Sequence, residues 1–116
     1  MAHAFLAASR GGDFSALLAV LDPDIVFRAD RVAVSQGAAG EIHGAVAVAQ
    51  QIIGRLRWTR FAQPVLVDGK VGLVVAPRGH LMLLVRLTIK GDKIAALDAL
   101  ADPVHLHQVQ LAMLSD

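Results

Sequence analysis

The chain has 116 residues, of which 55% are hydrophobic and 18% charged, and its formal net charge is +1. This length is close to the commonest size of a single domain, so we expect one core and one domain over residues 1–116. The scattered basic residues argue against direct nucleic acid binding, the lack of cysteine excludes disulfides, and no apolar run is long enough to span a membrane.

The N-terminal half of the chain has mostly helical patterns. Gly11 and Gly12 are expected to end a first helix because glycine tolerates the left-handed conformation, and Asp13 can cap a second helix. The predicted elements are, in chain order, helices over 2–9 and 13–21, a strand over 25–29, a loop over 30–43 with one short strand, and a helix over 44–56.

Beyond Trp58 the pattern changes to strands separated by turn residues. Asp68-Gly69 between two apolar runs is a strong hairpin signal, and Gly91-Asp92 is a second one. The predicted strands cover 60–67, 70–76, 81–90 and 93–101, and a closing helix covers 104–114. Helices followed by an antiparallel meander predict an α+β fold, with helices packed on a curved antiparallel sheet.

The hairpin turns also predict the register of the sheet, because a two-residue loop makes its flanking residues pair. Lys90 should pair with Lys93, which places Leu87 and Val85 opposite Ala96 and Asp98. A four-residue turn should pair Ala76 with Leu81. The face expected to meet the helices then carries Phe61, Gln63, Val65, Val74, Leu83, Val85, Leu87, Ile94, Ala96, Asp98 and Leu100.

Asp98 is the strongest candidate for a pocket residue, because a carboxylate on such an apolar face needs a hydrogen-bonding partner. The alternative is that Asp98 lies at an open end of the sheet and is solvated. Trp58 and two phenylalanines either line the same pocket or pack in the core. The predicted ligand pocket consists of Asp98, Gln63, Trp58, Phe27, Phe61, Val85 and Leu100.

The opposite face of the predicted sheet is also mostly apolar, whereas a sheet exposed on one side would be polar there. We therefore expect this outer face to be covered, either by a second copy in a homodimer or by the chain's own terminal segments. The predicted dimer interface consists of Leu66, Leu73, Val75, Met82, Leu84, Arg86 and Leu97.

The histidines give no metal site. His105 and His107 are two residues apart on a predicted helix and so do not share a face, and Glu41-Ile42-His43 would need distant ligands. No phosphate-binding loop or nucleophile elbow occurs either. We expect neither a metal nor a cofactor, and the absence of a signal-peptide pattern predicts a cytoplasmic protein.

The order and spacing of several segments resemble a known family over nearly the whole chain. These segments are 4–14, 17–24, 28–30, 75–79, 93–98 and 100–103, together with Leu106. They are similar to the SnoaL-like domain of some bacterial extracytoplasmic-function sigma factors, which has the cystatin-like, nuclear transport factor 2-like cone fold. The promoter-reading regions are absent from these residues, so the chain is either a piece of such a sigma factor or a stand-alone relative.

The resemblance implies a non-catalytic regulatory module that contacts the DNA-binding regions of a sigma factor, or RNA polymerase, and modulates transcription initiation. A small apolar ligand in the pocket would fit this role. The implied contact residues are Asp30, Asp102, Pro103, His105 and Leu106, although His105 stands where the family usually has arginine or lysine.

The alternative function is a small stand-alone enzyme of the ketosteroid isomerase, polyketide cyclase or epoxide hydrolase type. Such an enzyme would use pocket carboxylates as general acids or bases. Asp98, Asp30 and Arg28 are the candidate catalytic residues. The chain has no tyrosine, which the isomerases and hydrolases of this fold also employ.

Overall fold

The structure, a computed structural model, describes residues 2–35, 38–54, 61–76, 82–108 and 111–113. Five helices and seven strands are assigned within these residues. The helices are α1 (Ala2–Arg10), α2 (Phe14–Val20), α3 (Arg31–Ser35), α4 (Ala45–Ile53) and α5 (Pro103–Gln108). The strands are β1 (Leu21–Ala29), β2 (Glu41–His43), β3 (Ala62–Val67), β4 (Lys70–Val75), β5 (Leu83–Lys90), β6 (Lys93–Leu100) and β7 (Leu111–Met113).

The first two helices follow the predicted capping pattern. Gly12 has a φ of 64° and lies between the helices, and the Asp13 side chain accepts a hydrogen bond of 3.0 Å from the backbone N–H of Ala16. An aspartate at this position satisfies one of the backbone donors that a helix start leaves unpaired. Leu17 is fully buried and anchors α2 in the core.

The seven strands form one sheet in the order β2-β1-β6-β5-β4-β3-β7. The predicted meander from β3 to β6 is confirmed, and β1 adds to it as a parallel neighbour of β6. Helices α1, α2 and α4 pack on one side of the sheet around the larger hydrophobic cluster. We call this side the inner face and the opposite side the outer face. No helix in the described part of the chain has the length and apolar character needed to cross a lipid bilayer.

The predicted register is right at the two-residue turns and wrong farther along β5 and β6. Val67 pairs with Lys70 and Lys90 pairs with Lys93, as predicted. Between the pairs Ile89–Ile94 and Thr88–Ala96, however, β6 contains one additional residue, Ala95. A bulge of this kind moves every later side chain of the strand to the other face.

The connection between β4 and β5 shifts the register in the same way. Val75 pairs with Leu83, and the N–H of Met82 donates to the carbonyl of Val75 at 2.9 Å. The predicted pairing of Ala76 with Leu81 is therefore wrong by one position. Because of this shift, the side chain of Val74 lies on the face opposite to that of Val85. The bulge has the same effect on Asp98, so both side chains are on the outer face.

The C-terminal segment covers part of the outer face. Leu106 of α5 packs against a cluster of buried residues made of Val65, Val67, Val74, Leu84 and Leu100, which we call the outer cluster. The predicted helix over 104–114 is shorter than expected, because β7 pairs with β3 from Val65 to Val67. This pairing satisfies backbone groups that an uncovered edge strand would leave unpaired. The alternative of cover by the chain's own terminal segment thus holds for this cluster.

Candidate functional site

A cavity of about 120 Å³ lies between the helices and the inner face of the sheet. Its described lining residues come from α1, α3, α4 and strands β1 and β3 to β6, with Ala38 added from the segment before β2. They are Phe5, Leu6, Phe27, Ala33, Ala38, Gln51, Ile52, Ala62, Leu73, Val75, Leu83, Val85, Leu97 and Ala99. A cavity with such walls is suited to a small apolar molecule.

Gln51 is the one polar side chain among the described lining residues. It lies on α4, whose buried residues Val48 and Ala49 fix which side of the helix faces the core. The Nε2 atom of Gln51 is buried and has no hydrogen-bond partner among the described residues. Since buried polar groups are nearly always paired, this amide nitrogen is a donor available to a bound molecule.

The structure places two of the predicted pocket residues in the cavity wall, Phe27 and Val85. Gln63 is exposed, and it pairs with Val74 on the outer face. Leu100 belongs to the outer cluster. The pocket assignments of these two residues are wrong, because the register shifts place their side chains on the outer face. Phe61 is 51% exposed and does not line the cavity either. Trp58 lies outside the described residues.

Asp98 also lies on the outer face, so its predicted place in the pocket is wrong. It pairs with Arg28 on one neighbouring strand and with Arg86 on the other. Glu41 continues this row beside Arg28, with 3.6 Å between Arg28 Nε and Glu41 Oε1. The result is a line of alternating charge across four strands, in which opposite charges on adjacent strands stabilise the pairing.

The electrostatics of this row are those of an open surface. His43 Nε2 lies 2.9 Å from Glu41 Oε2, and this hydrogen bond holds the pKa of Glu41 below its ordinary value, with the charges of His43 and Arg28 acting in the same direction. The side chains of Arg28 and Glu41 are 60% and 55% exposed. This end of the outer face is charged and exposed to solvent rather than apolar.

Most of the predicted dimer interface is therefore not available at the surface. Leu73, Val75 and Leu97 are at most 4% exposed and line the cavity, and Leu84 is fully buried in the outer cluster. Assigning these four to an exposed interface is wrong, whereas Arg86 is exposed on the outer face. Leu66 and Met82 are half-buried. A homodimer through the outer face stays a prediction, and a partner there would meet the charged row.

Asp30 joins the cavity wall to the C-terminal segment. Its Oδ1 accepts a hydrogen bond of 2.8 Å from the N–H of Ala33, which caps α3, and its Oδ2 accepts bonds of 2.9 Å from the N–H groups of Ala101 and Asp102. Asp102 directly precedes α5, and its Oδ1 accepts a hydrogen bond of 3.0 Å from the N–H of Val104. The carboxylate of Asp30 is thus used to hold backbone together.

The predicted regulatory contact residues are close to one another in the fold. Asp30 and Asp102 are hydrogen-bonded, and the backbone N–H of Leu106 donates to the carbonyl of Asp102 at 3.0 Å. Pro103 is exposed at the first position of α5. The backbone of His105 lies in the same helix. Within the described residues, no group of three metal-ligating side chains is close enough to hold a metal ion.

Helices packed on one face of a curved sheet around an apolar cavity define the nuclear transport factor 2-like fold, and the chain has this fold. A nuclear transport factor 2-like protein of unknown function from Cytophaga hutchinsonii is 15% identical, with a TM-score of 0.59 over 92% of this chain and 91% of that one. The α+β cone expected from the sequence is confirmed.

Two further solved structures share this fold. The extracytoplasmic function sigma factor SigJ of Mycobacterium tuberculosis is 24% identical, with a TM-score of 0.67 over 88% of this chain, which spans 41% of that protein. A Sinorhizobium meliloti protein, provisionally assigned as a polyketide cyclase, is also 24% identical, with a TM-score of 0.58 over 84% of this chain and 91% of that one. No protein-family profile and no curated protein matches the chain.

Proposed function

We propose that this chain is a non-catalytic module that binds a small apolar molecule in its cavity and passes the binding event to its C-terminal segment. The observation that carries the proposal is the composition of the cavity wall. Its described residues are apolar except for one amide, and they include no carboxylate, imidazole or hydroxyl group. Such a wall is suited to binding an apolar molecule, and it lacks the groups that general acid–base catalysis uses.

The hydrogen bonds of Asp30 supply a physical route from the cavity to the surface. Ala33 and Ala99 line the cavity. Asp30 accepts from the N–H of Ala33, and its own N–H donates to the carbonyl of Ala99 at 2.9 Å. Because the same carboxylate also holds Ala101 and Asp102, a change in the wall alters the position or the order of the segment that leads into α5.

We place this module in the setting of an extracytoplasmic-function sigma factor in the cytoplasm. The support is the fold similarity to one such protein, together with the clustering of Asp30, Asp102, Pro103 and Leu106 beside the start of α5. The partner of this surface would be the DNA-binding regions of the sigma factor or RNA polymerase. Ligand binding would then modulate transcription initiation.

Filling the cavity tests the binding function. Ala99 is 4% exposed, so Ala99→Leu should occupy cavity space and weaken the binding of a small probe such as ethylbenzene by tenfold or more. The probe should raise the melting temperature of the wild-type protein, because a molecule that binds only the folded state stabilises it. Titrations followed by NMR, together with thermal unfolding, give both quantities.

Asp98→Asn is the matched control, because Asp98 lies on the outer face and does not line the cavity. It should leave probe binding unchanged. Equal probe affinity in the wild type and in Ala99→Leu would contradict binding in this cavity.

The enzymatic alternative is favoured by the similarity to the Sinorhizobium meliloti protein. For this chain it would need a catalytic group other than the predicted ones. Asp98 and Arg28 pair with each other across strands on the outer face, and Asp30 binds three backbone N–H groups. If the protein had a measurable isomerase or cyclase activity that Ala99→Leu abolished and Asp98→Asn left unchanged, an enzymatic function in the cavity would replace the proposed one.

A further inference from the structure

We infer that the cavity selects neutral apolar ligands that carry one hydrogen-bond acceptor, such as the carbonyl oxygen of a ketone, ester or lactone, and that Gln51 is the residue that recognises this acceptor. The inference rests on the proposed ligand-binding function and adds the chemical class of the ligand. Gln51 is the specificity-determining residue in this scheme.

The first step of the argument is the unpaired amide nitrogen. Gln51 Nε2 is buried without a hydrogen-bond partner among the described residues, on a wall whose other described members are apolar. Leaving a buried donor unpaired is unfavourable for the unliganded protein. A methionine or leucine would fill the same helix position without this cost, so the amide lowers stability and offers a donor in exchange.

The second step concerns what can satisfy that donor. A buried water needs two to four polar partners, and the described lining offers a single amide, so the site is poorly suited to a water molecule. A ligand oxygen brings its own apolar framework, which the rest of the wall can contact. A molecule with one acceptor and an otherwise apolar surface therefore complements the site.

The third step concerns charge. None of the described lining residues carries a charge, so a carboxylate or phosphate of a ligand would be buried there without a counterion from them. Burying an unpaired charge is far more costly than burying a carbonyl group that accepts a hydrogen bond. The lining therefore favours a neutral acceptor over an anionic one.

A pair of probes with nearly the same shape tests the inference. Acetophenone and α-methylstyrene differ in one group, a carbonyl oxygen in the first and a methylene in the second. Their dissociation constants are measured by NMR titration for the wild type and for Gln51→Met, which keeps the length of the side chain and removes the donor. The ratio of ketone to alkene affinity should fall about tenfold in Gln51→Met, the loss expected for one net hydrogen bond. Comparing ratios removes the difference in hydration between the two probes.

The neighbouring residue Gln50 provides the matched control, because it is exposed on the same helix. Gln50→Met should leave the affinity ratio at the wild-type value. In the absence of probe, Gln51→Met should raise the melting temperature by roughly 4 °C, since it removes an unpaired buried donor, whereas Gln50→Met should not.

The possible failures are distinguishable. If the wild type binds both probes and Gln51→Met leaves the affinity ratio unchanged, the role of Gln51 is overturned and the ligand-binding function stands. If the wild type binds neither probe, the proposed function itself is overturned, and this inference with it.

Discussion

Replacing Asp30 with alanine is expected to lower the free energy of unfolding by about 3 kcal/mol. The substitution leaves the N–H groups of Ala33, Ala101 and Asp102 without the carboxylate that now accepts from them at 2.8 to 2.9 Å. Hydrogen bonds to a charged acceptor contribute more than neutral ones, and partly buried donors left unpaired add their own cost. Urea unfolding of the wild type and the variant measures the change.

Asp30→Asn separates the two tasks of this carboxylate. The asparagine oxygen can still accept from Ala33 and cap α3, but its NH₂ group would face the N–H groups of Ala101 and Asp102. We expect an intermediate loss of stability, together with faster hydrogen exchange of those two amides. Asp102 leads into α5, so the exchange should also rise where Leu106 covers the outer cluster.

Asp13→Ala is the matched control for Asp30. Asp13 caps α2 with a single exposed hydrogen bond to the N–H of Ala16, so its loss should cost about 1 kcal/mol. An Asp30→Ala variant that loses no more stability than Asp13→Ala would show that Asp30 acts only as a helix cap. The route from the cavity to the C-terminal segment would then have no support.

Replacing Gly72 with alanine is expected to destabilise the fold by about 2 kcal/mol or more. A Cβ at this position would lie 2.6 Å from Val67 Cγ2 and 2.8 Å from the backbone oxygen of Val85. Val67 is 1% exposed and cannot move outward freely, and the carbonyl of Val85 is fixed by the sheet. Overpacking of this kind forces backbone and side-chain shifts. Chemical denaturation gives the loss of stability.

Gly40→Ala is the control for this effect. Among the described residues, a Cβ at Gly40 would meet only Val34 Cγ2, at 3.9 Å, which is an ordinary van der Waals contact. Its unfolding midpoint should stay close to that of the wild type. If Gly72→Ala were as stable as Gly40→Ala, the close approach of Val67 and Val85 to the backbone of β4 would be wrong.

The features that depend on neighbouring residues were predicted correctly, whereas the position of the bulge in β6 was not. Asp13, the Asp68-Gly69 turn and the Gly91-Asp92 turn act through residues a few positions away, and each has the predicted effect. The extra residue Ala95 has no such local signature, because an alanine in a strand is compatible with either register. A single bulge was enough to place Asp98 on the outer face instead of in the pocket.

The place of Gln51 in the fold follows from the spacing of the buried residues of α4. The apolar spacing of this helix predicts one face made of Val46, Ala49, Ile52, Ile53 and Leu56. Ala49 is buried, but Val46 is 53% exposed and Val48 is fully buried instead. Gln51 follows Val48 by three positions, which places it on the buried side of the helix. A polar residue on an otherwise apolar stripe is the pattern that indicates a pocket residue, provided the stripe is assigned correctly.

The sequence by itself determined the α+β class, the two short hairpins and the resemblance to SnoaL-like domains, because these follow from capping, turn chemistry and segment order. Tertiary structure decided the rest. Which side of each strand faces the helices depends on pairings between strands and on where a bulge falls. The cover of the outer cluster by Leu106 depends on contacts with strands that are distant along the chain. Two of the three N–H groups that meet at Asp30, those of Ala101 and Asp102, are 71 and 72 positions away from it. Local patterns carry no information about contacts at that separation.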